Sequence, residues 1–326
     1  MRLPELNILT PGTLTEAFAC LKEEGAIVVA GGTDLYPNLK RRQVNHRTLV
    51  SLARVGSLRG ISGDPESGVV IGAMTTLTEV VEHPMIAGCY PALARAAYLV
   101  STPQLRNGGT LGGNVCLDTR CLYFNQNELW RQGLGYCLKS FGSICQAAPK
   151  SPRCFAVSSA DTVPVLLALA AELRLAGPDG DREIPIEDFY RRDGIDYLTR
   201  KPGEIVTAIV LPPAGAQKMT YLKMRKRNAI DFPVAGVAVV LETDADNKVT
   251  KARVVLGALE STPILLEQAS ALMVGNELTC ELIDTVADLA FKAAKPIDNT
   301  DMGPAYRKQM ARVLTRRALQ QLACIS

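Results

Sequence analysis

Cysteine and glycine are the residues whose spacing permits chemistry in this chain. Nine cysteines occur, and five fall close together: Cys116, Cys121, Cys137, Cys145 and Cys154. Glycine pairs stand in "VVAGGTDLY" (28–36) and in "GTLGGN" (109–114). Backbone without Cβ atoms can turn successive N–H groups towards an anion, and a helix start beyond such a loop adds favourable partial charge. Thr110 and Asn114 add side-chain donors to the second loop. One such pair is commonly a plain tight turn, whereas two loops in one domain suit a pyrophosphate with groups on either side.

The last four clustered cysteines are spaced Cys121-x15-Cys137-x7-Cys145-x8-Cys154. This fits neither a ferredoxin run nor paired C-x2-C knuckles. Four thiolates from separated positions can wrap a [4Fe–4S] cluster. The aromatics Tyr123, Phe124, Trp130, Tyr136, Phe141 and Phe155 would limit water around it. An all-cysteine zinc site and a loop of free thiols are the alternatives. The remaining cysteines, Cys20, Cys89, Cys280 and Cys324, read as buried apolar thiols.

Composition excludes much else. Two histidines, His46 and His83, leave no HExxH and little material for a Ser–His–Asp triad. His83, before a proline, reads as structural. There is no GxxxxGK[ST] loop and no GxGxxG. With 47% hydrophobic and 21% charged residues and a net charge of +3, nothing calls for nucleic acid or a membrane surface. The longest apolar runs are too short to span a bilayer and the first residues lack a signal-peptide core, so a cytoplasmic protein without disulfides is expected.

The elements that must position these residues alternate along 326 residues. "TLTEAFACLKEEG" predicts a capped helix, "AIVVA" a short strand running into the first glycine loop, and "MIAGCYPALARAAYLVS" a helix leading to the second. Residues 117–156 lose all periodicity and read as an insertion held together by something other than a hydrophobic core. A helix running into a strand follows at 159–177, and "PGEIVTAIVLPP" is a further strand. The last third predicts three antiparallel strands, then helices over 264–275, 280–295 and 304–323, a plausible separate α+β unit.

"AGGTDL", "YPALARAAYLVSTPQLRNGGTLGGN", "SADTVPVLLALAAEL", "PGEIVTAIVLP" and "YLKMRKRNAIDFPVAGVAVVL", in this order and spacing, resemble the FAD-binding medium subunit of the molybdenum hydroxylases, the xanthine oxidase-like family. The resemblance spans nearly the whole chain outside 117–156. It implies an α+β fold: a two-part PCMH-like FAD-binding domain over 1–215 (subdomains about 1–57 and 58–215, carrying insertion 117–156), then a smaller C-terminal α+β domain over 216–326. It implies that Ala30, Gly31, Gly32, Thr33, Asp34 and Leu35 hold the FAD diphosphate and ribityl chain, with Thr110, Gly113 and Asn114 as the second wall. Asp161 would lie near the adenosine half, Lys223 near the isoalloxazine and Tyr197 over the flavin; Arg106 and Asn107 would be structural. "LYPNLKRR" and "KMRKRN" read mainly as solvated strand ends plus one flavin-facing lysine, the alternative being a docking patch for an acidic ferredoxin.

Medium subunits of this family ordinarily lack the insertion. With it, the chain resembles the β subunits of 4-hydroxybenzoyl-CoA reductases, which remove a phenolic hydroxyl reductively in anaerobic aromatic degradation. Cys116 follows the flavin loop inside the family framework, so the expected metal ligands are Cys121, Cys137, Cys145 and Cys154. The resemblance implies an electron-transfer chain carrying FAD and the cluster, supplied by a low-potential donor such as ferredoxin. Its partners would be a small [2Fe–2S] subunit and a large molybdopterin subunit in a heterotrimer that dimerises. A medium subunit of another molybdenum hydroxylase, or a zinc-stapled structural subunit, would be the other outcomes.

Overall fold

A computed structural model describes residues 2–324, and three sheets succeed one another along them. The first contains β1 (Asn7–Leu9), β2 (Ile27–Val29) and β3 (Thr48–Ser51) in the order β1-β3-β2, both pairs parallel. Parallel neighbours need crossovers, and α1 (Leu14–Cys20) and α2 (Leu35–Lys40) supply them. The Thr13 side chain caps α1 by accepting from the Glu16 N–H at 3.2 Å. The break between β2 and α2 is the first glycine loop.

The middle unit holds the antiparallel sheet β4-β5-β8-β6-β7: β4 (Ile61–Asp64), β5 (Gly68–Gly72), β6 (Glu172–Gly177), β7 (Gly180–Pro185) and β8 (Ile205–Leu211). Between β5 and β6 lie α3 (Leu77–Glu82), α4 (Pro84–Cys89), α5 (Pro91–Leu99), α6 (Pro103–Arg106), α7 (Leu111–Val115), α8 (Glu128–Gly133) and α9 (Thr162–Ala168). A reciprocal cap between Thr76 and Glu79 starts α3. The buried faces of α5 and α9 meet Ile71, Leu173 and Ile209 of the sheet in the largest core.

The last unit has four strands, not the three expected. β9 (Lys218–Met224), β10 (Ala235–Thr243) and β11 (Val249–Gly257) are joined by the two-residue β12 (Ile264–Leu265), which pairs with β11. The helix expected from 264 therefore begins later, as α10 (Glu267–Met273), followed by α11 (Cys280–Ala293) and α12 (Pro304–Ala323). The unit also packs closely against the middle one. Val237, Val239 and Leu241 of β10 join the core beneath α10–α12, while Ala238 and Val240 join the core around α5 and α9. An apolar run of both parities marks a strand buried on both faces, so this sheet lies between its own helices and the middle unit. The four outlying cysteines are not buried as expected: Cys20 and Cys89 are half-buried, and Cys280 and Cys324 are exposed because they stand at helix ends.

Candidate flavin and cysteine sites

A cavity of about 440 Å³ opens between the first and middle units. The two glycine loops form adjoining walls, and their tightest glycines stand too close to neighbouring atoms to take a side chain. A Cβ on Gly31 would run into the Gly108 carbonyl, and one on Gly112 would stand 2.6 Å from the Ala73 Cβ. Gly32 has φ +68°, a left-handed conformation that glycine adopts without strain, and a Cβ there would strike the Tyr36 ring. Backbone bonds lock the arrangement: Leu77 donates to the Gly109 carbonyl at 2.8 Å, Leu111 to Thr75 at 2.9 Å and Gly112 to Ala73 at 2.9 Å. A dinucleotide's narrow diphosphate fits such side-chain-free walls, and the apolar groups Val28, Leu52, Leu77 and Ile205 suit its ring systems.

Ala30, Gly31, Gly32, Thr33, Asp34, Leu35, Thr110, Gly113, Asn114 and Tyr197 all line this cavity. The Thr110 hydroxyl accepts from the Gly113 N–H at 3.0 Å, and the Asn114 side-chain oxygen accepts from the Thr162 hydroxyl at 2.6 Å. Tyr197 donates to the Cys116 carbonyl at 3.4 Å. Asp161 and Lys223 stand apart from the lining. They pair with each other at 2.9 Å, both almost fully buried; Asp161 also accepts from the Tyr221 hydroxyl at 2.9 Å, and Lys223 donates to the Leu99 carbonyl at 2.9 Å. Burial pushes the Asp161 carboxyl up and the Lys223 ammonium down, and their mutual attraction opposes both shifts. Arg106 and Asn107 hold structure: Arg106 donates to the Val100 carbonyl at 3.0 Å, and Asn107 accepts from the Thr78 hydroxyl at 2.7 Å.

Beside the cavity the insertion folds around its own small core. Cys121, Cys137 and Cys154 pack with Phe124 and Ala156 in that core, and Cys145 is buried with them in the same segment. The structure thus buries all four expected ligands, whereas Cys116 is half-buried and lines the flavin cavity. Burial pushes the Cys121 thiol up to about 12 and Cys154 to about 11. Among the described residues, no three His, Cys, Asp or Glu side chains converge as the ligands of one metal ion. The Cys154 sulfur accepts from the Ala156 N–H at 3.4 Å, the type of bond that supports a thiolate.

The insertion is braced by long side chains reaching backbone, and none of these was anticipated from the sequence. Arg131, fully buried, donates to the Arg42 carbonyl at 2.6 Å, and Gln43 donates to the Phe124 carbonyl at 2.9 Å. Asn299 donates to the Phe155 carbonyl at 2.5 Å and is itself held by Arg307 at 3.2 Å. Lys139 donates to Asp118 at 2.7 Å, to Thr119 at 2.9 Å and to the Gly194 carbonyl at 2.6 Å, with its ammonium 5.5 Å from the centre of the Tyr197 ring. Arg120 pairs with Asp34 of the first glycine loop and lies over the Phe232 ring. No periodic signal marks such pairs; the single local hint is that Arg120 and Lys139 sit within two residues of cysteines.

Two adjoining glycine walls on a three-sheet α+β frame define a flavoprotein of the dinucleotide-cavity type. Residues 4–214 match the family described as the FAD binding domain in molybdopterin dehydrogenase, and residues 220–322 match the CO dehydrogenase flavoprotein C-terminal domain. The chain belongs to this family of FAD-binding medium subunits of molybdenum hydroxylases. It is similar to the carbon monoxide dehydrogenase medium chain of Afipia carboxidovorans, 31% identical and covering 95% of this chain and 94% of that one. It is also similar to the aldehyde oxidoreductase FAD-binding subunit of Escherichia coli, 29% identical over 93% of this chain and 95% of that one. Among solved structures, the reconstituted CO dehydrogenase from Oligotropha carboxidovorans superposes with a TM-score of 0.81 at 28% identity, with both chains fully covered.

Proposed function

We propose that the chain is the FAD- and [4Fe–4S]-binding electron-transfer subunit of a molybdenum-dependent 4-hydroxybenzoyl-CoA reductase. The observation that carries this reading is the burial of Cys121, Cys137, Cys145 and Cys154 in one aperiodic segment flanking the flavin cavity. A tetrahedral zinc with sulfurs about 2.3 Å from the metal needs those sulfurs drawn tightly together. A cubane binds each sulfur to a different iron and so holds them further apart; Cys121, Cys137 and Cys154 share one core, and Cys145 is buried in the same segment. FAD and the cluster, when bound, supply two-electron and one-electron capacity.

The chain's own residues position these groups. The loops around Gly31 and Gly112 leave room for the diphosphate, and Tyr197 and Leu198 offer apolar surface to a ring. Lys139 and Thr119 close the boundary between the cavity and the cysteine core. The donor would be a low-potential carrier such as ferredoxin, and the acceptors a small [2Fe–2S] subunit and a large molybdenum subunit. The similarity to carbon monoxide dehydrogenase medium chains favours a second reading, a medium subunit of another molybdenum hydroxylase.

Iron, zinc, acid-labile sulfide and FAD are to be measured anaerobically on the purified complex and on a variant lacking 117–156. A loss of about four iron and four sulfide per chain, with FAD retained, supports the reductase subunit. A loss of zinc alone, or of no metal, returns the chain to an ordinary flavin subunit.

A further inference from the structure

We propose that Arg120 is a positioning residue for the flavin, acting through Asp34. The inference rests on the reading of the cavity as the flavin site. Asp34 lies within the glycine loop and lines the cavity, so its negative charge borders the space a diphosphate would cross. Left alone, that charge would oppose binding. Two groups restrain it: the Asn38 amide donates to one carboxylate oxygen at 3.0 Å, and the Arg120 guanidinium pairs with the other.

Arg120 is built to hold that position. Its backbone N–H donates to the Val157 carbonyl at 2.8 Å, and its carbonyl accepts from Val157 at 2.6 Å, so both ends of the insertion pin it. Its guanidinium carbon lies 4.1 Å from the centre of the Phe232 ring, and Phe232 also lines the cavity. Its Nε is buried with no hydrogen-bond partner among the described residues. A planar, permanently charged fork suits this site, where it pairs on one edge and stacks on its face; a lysine could pair but not stack in this way. Three parts of the chain therefore meet at one cation: the glycine loop, the foot of the cysteine insertion and the loop between β9 and β10. The geometry makes FAD affinity depend on an insertion residue that does not itself line the cavity.

The test is FAD binding to the deflavinated complex, followed by quenching of flavin fluorescence, for wild type, Arg120→Met, Arg120→Lys, Asp34→Asn and the Arg120→Met/Asp34→Asn double variant. Arg120→Met is expected to bind FAD roughly tenfold or more weakly and Arg120→Lys less so, with Asp34→Asn, itself a change in the cavity lining, as the reference for the double variant. The double variant is expected to recover most of the loss, because the unbalanced carboxylate is gone. Iron content and melting temperature of Arg120→Met separate a lost brace from a lost insertion. Binding by Arg120→Met within about twofold of wild type, or a double variant as weak as Arg120→Met, would overturn the proposal. A wild-type complex that takes up no FAD would overturn the flavin reading, and this proposal with it.

Discussion

The glycine walls and the cysteine insertion lie side by side and are held by opposite means. The walls rely on missing atoms: backbone meets backbone at Gly31 and Gly108, and the locking bonds run between main-chain groups of neighbouring turns. The insertion relies on reach, with Arg131, Asn299, Lys139 and Gln43 stretching to carbonyls as much as 144 positions away in sequence. A wall of the first type is rigid at once and tolerates no added atom. A loop of the second type holds its shape only while each buried donor keeps its acceptor, since an orphaned carbonyl costs about 1–3 kcal/mol. The contrast sets a preformed cradle beside a segment whose shape depends on partners distant in sequence.

The sharpest way to break this comparison is at the cysteines. Cys137→Ser is expected to abolish the iron and sulfide attributed to the insertion, whereas Cys116→Ser leaves them intact; the reverse result in metal analysis would move the ligand set to the flavin wall. Next comes Gly31→Ala, whose single methyl has nowhere to go. Overpacking of about 1–3 kcal/mol should reduce FAD retention through gel filtration, with iron unchanged. Asn299→Ala removes the tie to Phe155 and leaves Arg307 with one acceptor fewer. It should destabilise by about 1–3 kcal/mol, visible as a lower melting temperature and faster proteolysis within 117–156.

The smallest effect lies at Glu204, a cavity-lining acid in the glycine-wall half. Its hydrogen bonds with Arg182, at 2.7 and 2.9 Å, hold its carboxyl below the usual range. A depressed folded pKa contributes stability that is present above the unfolded value near 4.5 and lost as pH falls through the folded one. Glu204→Gln should therefore flatten the acid limb of a stability–pH curve.

The division between the two regions also governs what could be read in advance. The loops "AGGTDL" and "TLGGN" signal themselves because glycine has a backbone reason to be there, and ten of the expected flavin residues line one cavity. Asp161 and Lys223 were expected at opposite halves of a flavin, yet they neutralise one another, a pairing across 62 positions that no local pattern records. β12 escaped because two residues carry no period. α8 lay hidden in the aperiodic segment, although Asn127, which accepts from Trp130 at 2.9 Å, is a typical cap. The Arg120–Asp34 and Lys139–Gly194 ties were illegible for the same reason as the ion pair: long side chains meet wherever the fold brings them.

Strand β10, which faces two cores, has a consequence for how the chain comes off the ribosome. Ala238, Val240 and Val255 cover α9, and Pro164 of that helix fits against Gly257, where even a methyl would come within 2.6 Å. Residues up to 214 are synthesised first, and until the last third emerges the α9 face of the flavin domain is bare. Exposed apolar surface of this sort is what chaperones bind and aggregates share. A nascent chain halted between the two matched families would thus be a client for holding factors and not a small finished flavoprotein.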